Sequence, residues 1–156
     1  MTNNDKLRRL RYALKITDTQ AAEAIARTGE ETPRTRVESW LKREGEAGYL
    51  EISDSTLCRF LDGLIIERRG ARPDGSPPEP LAFLSNNEVL KKLRIALELR
   101  DDDLMAIFKE ADFVVSKAEL SSFFRKEGHR NYRKCPEQVL RKFLQGLGKK
   151  TDSAES

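Results

Sequence analysis

The chain has 156 residues, 38% apolar and 35% charged, with 29 basic against 26 acidic side chains and a single histidine. That length admits one domain or two small ones, and a net charge of +3 is too small to demand a nucleic-acid partner by itself. A polar N-terminal stretch and the lack of an apolar run of membrane length argue against a signal peptide or a spanning segment. Cys58 and Cys135 have no partner at metal-ligand spacing, so a cytoplasmic, reducing setting without metal or cofactor is expected.

The first predicted helix opens on Asn3-Asn4 as N-caps, with Asp5 where the helix dipole favours an anion, and carries Leu7, Leu10 and Leu14 on one face. Asp18 precedes a second helix with Ala21, Ala24 and Ile25 on its apolar side. Thr32-Pro33 reads as a cap followed by proline at the first helical position, and the third helix buries Val37, Trp40 and Leu41. A glycine and Tyr49 punctuate the next loop. A fourth helix starts near Ser53 and carries Leu57, Phe60, Leu61 and Leu64. The stretch 70–85 is rich in glycine and proline, which break helices, then turns apolar at Leu81, Phe83 and Leu84, which are expected to dock on a repeat.

The sentence then starts again. "NNEVLKKLRIAL" at 86–97 repeats "NNDKLRRLRYAL" at 3–14, and the match holds without a gap at an offset of 83: Leu90, Leu93, Arg94, Asp101, Glu127-Gly128, Tyr132, Phe143 and Leu147 stand where Leu7, Leu10, Arg11, Asp18, Glu44-Gly45, Tyr49, Phe60 and Leu64 stand. Such self-similarity marks one structural unit used twice. The second unit buries Leu104, Ile107 and Phe108, then Leu120, Phe123 and Phe124 after a Ser116 cap, then Leu140, Phe143, Leu144 and Leu147. The expected architecture is all-α: a tandem repeat of two homologous four-helix units with helix-turn-helix-like character and pseudo-twofold packing. Residues 1–69 form the first repeat, 70–85 the linker, 86–150 the second repeat and 151–156 a disordered tail. Leu14, Leu97, Leu10, Leu93, Ile25 and Trp40 complete the expected core. Gly63 and Gly146 recur inside the last helix of each unit, where glycine costs roughly 1 kcal/mol relative to alanine. Their recurrence predicts a close crossing of another helix, placed between the two halves.

Catalytic chemistry finds little support. His129 is alone, no glycine-rich phosphate loop occurs, and the three carboxylates of Asp101, Asp102 and Asp103 sit where a helix N-terminus favours acids. The expectation is therefore a protein that is not an enzyme. Ala21-Ala22, Ile25, Val37 and Trp40, and in the second unit Leu104, Phe108, Leu120 and Phe123, fit the helix-turn-helix pattern of small repressor-type domains. The link between the two helices is longer than the usual three or four residues, and in the second unit it is the apolar "ADFVV", expected to be buried. A basic run at 125–134 is the stronger signal: Arg125, Lys126, His129, Arg130, Arg133 and Lys134 surround Tyr132. Cations position phosphates; Tyr132 aligns with Tyr49 and reads as a shared loop anchor. Arg34, Arg36, Lys42 and Arg43 are the first-unit candidates, offset by Glu38 and Glu44. Charge favours the second unit, with 15 bases against 10 acids over 86–150, compared with 13 against 12 over 1–69.

"NNDKLRRLRYAL", "SWLKREGE", "FLDGLIIERRG", "NNEVLKKLRIAL", "FFRKEGHRNYRKC" and "FLQGL" together resemble the bacterial YehS-like family, domain-of-unknown-function family 1456, over nearly the whole chain. The resemblance implies a small cytoplasmic bacterial protein and supplies no catalytic residues. Two functions stay open: a nucleic-acid-binding or regulatory module for DNA or RNA, and an adaptor that holds a protein partner's helix or peptide, with a homodimer as a further possibility.

Overall fold

A computed structural model of the chain describes residues 1–155, with side chains through Ala154. The described residues form α1 (Asn3–Leu14), α2 (Asp18–Ala26), α3 (Arg34–Leu41), α4 (Asp54–Arg69), α5 (Asn86–Leu97), α6 (Asp101–Glu110), α7 (Lys117–Phe124) and α8 (Glu137–Glu155), and contain no strand. Each of α1 to α4 returns as α5 to α8. The stretch expected as a disordered tail instead extends α8 to Glu155; Ser156 lies outside the described residues.

The repeat is visible in the caps. Thr2 and Ser85 accept the backbone N–H of Asp5 and Glu88, and Ser53 and Ser116 do the same for Thr56 and Glu119. These bonds satisfy helix N–H groups that otherwise lack partners. The caps of α1 and α5 are therefore not the asparagines that the sequence pattern pointed to. Asn4 and Asn87 lie within the first turn, buried, and face inward. The N-cap of α3 falls on Pro33, one residue later than the expected Thr32, without a side-chain bond.

The apolar faces close into one cluster drawn from both halves. Phe60, Phe108 and Phe143 are among its largest fully buried side chains, and the Phe108 and Phe143 rings meet at 5.5 Å between centroids. Burying each such ring contributes about 2 kcal/mol. Leu14 and Leu97, expected in the core, are only partly buried at its edge. Within each half the second helix packs on the fourth, α2 on α4 and α6 on α8. Across the halves α1 packs on α8 and α4 on α5, so each half sets its first helix against the other half's last.

Gly63 and Gly146 sit at close backbone crossings, but not between the halves. A Cβ at Gly63 would stand 1.8 Å from the carbonyl oxygen of Ala24, and one at Gly146 would stand 1.9 Å from that of Ile107. Both crossings are internal, of α4 with α2 and of α8 with α6. The linker is pinned by backbone as much as by side chains: Leu81 N–H donates to Cys58 Sγ at 3.4 Å and Leu84 N–H to Asp54 Oδ2 at 2.9 Å. Leu84 is buried, whereas Leu81 and Phe83 remain in solvent, Phe83 71% exposed. The 111–115 link likewise buries Ala111 and Val115 but leaves Val114 90% exposed.

Candidate functional site

The loop after the third helix is built identically in the two halves. Asn87 Nδ2 donates to the carbonyls of Phe123 (3.1 Å) and Arg133 (2.8 Å), and its Oδ1 accepts the N–H of Cys135 at 2.8 Å. Asn4 makes the same three bonds to Trp40, Leu50 and Ile52. One amide thus satisfies three main-chain groups that burial would otherwise leave without partners. Two successive turns complete the loop, His129 N–H to Lys126 O and Tyr132 N–H to His129 O, mirrored by Glu46 to Arg43 and Tyr49 to Glu46. Burial, with help from Glu127, pushes the Tyr132 phenol up, which suits a loop anchor.

On this common frame the side chains diverge. Residues 125–134 carry five basic groups and one acid, while 42–51 carry two basic groups and three acids. Beside the second loop lies an open hollow of about 610 Å³ between α7 and the loop. Arg125, Arg130 and Arg133 line it, together with Ser116, Ser121, Ser122, Asn131 and Glu119. None of the three guanidinium groups makes an ion pair among the described residues. Lys126, His129 and Lys134 do not line the hollow; His129 Nδ1 accepts the N–H of Asn131 at 3.0 Å and shapes the loop tip.

The first half is shaped differently: a hollow of about 410 Å³ beside α3 is lined by Arg8, Arg11, Lys42 and Arg43, but also by the acids Asp18, Glu38 and Glu46. Lys42, at the position of Arg125, folds over its own loop and donates to Ala47 O at 2.9 Å, beside Gly48. Alanine and leucine, Ala47 and Leu50, take the places of Arg130 and Arg133. Arg34 pairs with Glu38 at 3.1 Å, and Arg36 and Arg43 are exposed at opposite ends of α3. Of the first-half candidates, Lys42 and Arg43 share that mixed-charge hollow while Arg34 is engaged by Glu38 and Arg36 stands apart. The asymmetry follows from Ala47 and Leu50 in place of Arg130 and Arg133, which the sequence shows, and from Lys42 reaching back across its loop, which local sequence does not announce.

The helix pairs resembling a groove reader are joined by seven residues, 27–33, and by six, 111–116, in place of a short turn. α2 packs on α3, with no comparable packing of α6 on α7, which lies against α5. The aspartates of α6 serve its N-terminus: Asp103 accepts the N–H of Arg100 at 2.8 Å and Asp101 pairs with Arg94 at 2.9 Å. No group of three or more His, Cys, Asp or Glu side chains placed to hold a metal occurs among the described residues. Burial raises both thiols, Cys135 to about 12, so neither is a ready nucleophile. No helix is long and apolar enough to cross a membrane among the described residues.

A family model described as a protein of unknown function, DUF1456, matches residues 3–70 and 86–151, one match to each half. The uncharacterized protein YehS of Escherichia coli (strain K12) is 41% identical over 147 residues, covering 94% of each chain. No solved structure matches.

Proposed function

The chain belongs to the DUF1456 family, and since that membership brings no activity with it, we propose from the site itself that this is a non-enzymatic nucleic-acid-binding protein that grips phosphates through the arginine-lined hollow of its second half. The observation that carries the reading is the convergence of Arg125, Arg130 and Arg133 on one open hollow with no acidic partner of their own. Guanidinium groups match phosphate oxygens in a two-pronged geometry, and three of them left without ion pairs form a local positive field despite a modest total charge. We take the halves to be related by a pseudo-twofold axis, which puts the Lys42 loop at the equivalent place, where Asp18, Glu38 and Glu46 offset the bases of the neighbouring hollow and disfavour phosphate. Recognition then rests on backbone charge, not on a helix inserted into a major groove, because the α2–α3 and α6–α7 links are too long for that motif.

The test is a salt titration. Fluorescence anisotropy of a labelled single strand and of its duplex, at 50 to 200 mM salt, is expected to give a log-log slope of roughly −2 to −3, the value for three neutralised phosphates. Replacing Arg125, Arg130 and Arg133 together by alanine removes binding and leaves helicity and melting unchanged; replacing Lys42 and Arg43 leaves binding intact. Equal binding by the triple variant and the parent, or no binding by the parent at low salt, refutes the reading. The second reading, an adaptor for a protein partner, draws on the exposed Phe83 and Val114 and differs in being far less sensitive to salt.

A further inference from the structure

The two cross-half interfaces hold the same repeat positions but not the same contents. In the α4–α5 interface, Lys92 Nζ stands 2.6 Å from Asp62 Oδ1, and the Asp62 side chain is 6% exposed. Ile65 packs against the core beside them. In the α1–α8 interface the equivalent residues are Arg9, Gln145 and Gly148. The ion pair and the branched side chain are gone, and a cleft of about 460 Å³ opens between α1 and α8.

Gly148 is not there for lack of room. A Cβ on it would meet the Tyr12 ring at 3.7 Å and the Ala13 Cβ at 3.9 Å, ordinary contacts, unlike the backbone collisions at Gly63 and Gly146. A glycine inside a helix costs about 1 kcal/mol, and here helix packing does not explain that cost; the space left free does. The floor of the cleft is apolar, made by Leu144, Gly148 and the Tyr12 ring, and Tyr12 is 62% exposed. The rim is basic. Asp152, its one acid, is already held by Lys15 at 3.1 Å and by the Tyr12 hydroxyl at 3.3 Å, and Arg8 by Asp5 at 2.9 Å. Arg9 and Lys149 remain without ion pairs among the described residues.

We propose that this cleft binds a small amphipathic anion, an aromatic or aliphatic body seated on Leu144, Gly148 and Tyr12 with a carboxylate, sulfonate or phosphate group facing Arg9 and Lys149. The volume lies in the range of small-molecule sites, which combine an apolar lining with a few placed polar groups, and an anionic head complements the two free cations on the rim. The arginine hollow of α7 is a separate site, and neither depends on the other.

The probe is 8-anilinonaphthalene-1-sulfonate, an aromatic body with one sulfonate. Fluorescence titration of the full chain is expected to show one saturable site. Gly148→Ile restores the side chain of the sister interface, fills the cleft and weakens binding about tenfold or more. Because that variant could disturb the helix pair, an Arg9→Gln, Lys149→Gln double variant, confined to the surface, serves as the second arm and is expected to weaken binding roughly tenfold. Circular dichroism verifies that both fold, and the Arg125, Arg130, Arg133 alanine variant retains the parental titration. The proposal is overturned if the parent shows no saturable signal, or if the double variant binds like the parent. It is also overturned if an acidic amphipathic peptide occupies the cleft and the sulfonate does not.

Discussion

The loops at 42–51 and 125–134 share a frame and differ in use. Each is clamped by one buried asparagine, Asn4 or Asn87, and closed by the same pair of turns. In one, a lysine folds in and closes the loop on itself; in the other, three arginines stand around an open hollow. The comparison teaches that the frame is specified by main-chain bonds to a few fixed residues, which leaves the outward side chains free to diverge without disturbing the fold. The helix pairs α1–α8 and α4–α5 repeat the lesson. Lys15 pairs with Asp152, and at the same repeat positions Glu98 pairs with Arg69, with the charges exchanged. Pairing α1 with α4 in that geometry would set Lys15 against Arg69, and pairing α5 with α8 would set Glu98 against Asp152. The charge pattern thus favours the exchanged pairing that the molecule adopts.

The largest expected effect tests the glycine crossings. Gly63→Ala and Gly146→Ala each force a methyl into a carbonyl oxygen and are expected to cost about 3 kcal/mol or more in chemical denaturation. Gly148→Ala, on the same helix as Gly146, is expected to be neutral or stabilising by up to about 1 kcal/mol. Comparable losses at all three would erase the distinction between glycine for contact and glycine for space.

Next comes the clamp. Asn4→Ala and Asn87→Ala each strip three main-chain groups of their partner and are expected to cost about 2 kcal/mol apiece. A difference of more than about 1 kcal/mol between them would show that the two frames are not energetically equivalent.

Charge exchange is subtler. Lys15→Glu sets two acids together and is expected to lower stability by about 0.5 kcal/mol at low salt, since both groups are half exposed; adding Asp152→Lys restores it. A double-mutant cycle with no coupling would remove charge from the account of how the halves choose partners.

The smallest effect concerns acid. Hydrogen bonds from the Asn3 side chain and the Leu84 N–H hold the Asp54 carboxyl below its ordinary 3.8. A lowered folded-state value means stability present above that ordinary value and lost as pH falls through the folded one. Melting of the parent and of Asp54→Asn, followed from pH 7 downward, is expected to differ most near neutrality and to converge in acid. A gap that is constant with pH would sever the link between this carboxylate and the docking of the linker.

The amino-acid sequence by itself determined the repeat, the α-class, the faces that turn inward and the places where a backbone crosses closely. Those follow from local rules: a 3.6-residue period, capping chemistry and the cost of glycine in a helix. The faces at Ile25, Trp40, Phe108 and Phe143 were legible in this way, as was the basic run from which the arginine hollow is made. Tertiary structure alone decided which partner each face meets. Asn4 looks like a cap in sequence because capping is local; its real partners lie 36 to 48 residues away, and no short-range pattern records them. Gly63 announced a crossing but not that α2 makes it, because an apolar stripe specifies burial and leaves the covering helix unnamed. That Lys42 folds over its own loop while Arg125 lines an open hollow was likewise decided in three dimensions, because a long flexible cation settles its place through the loop it folds against.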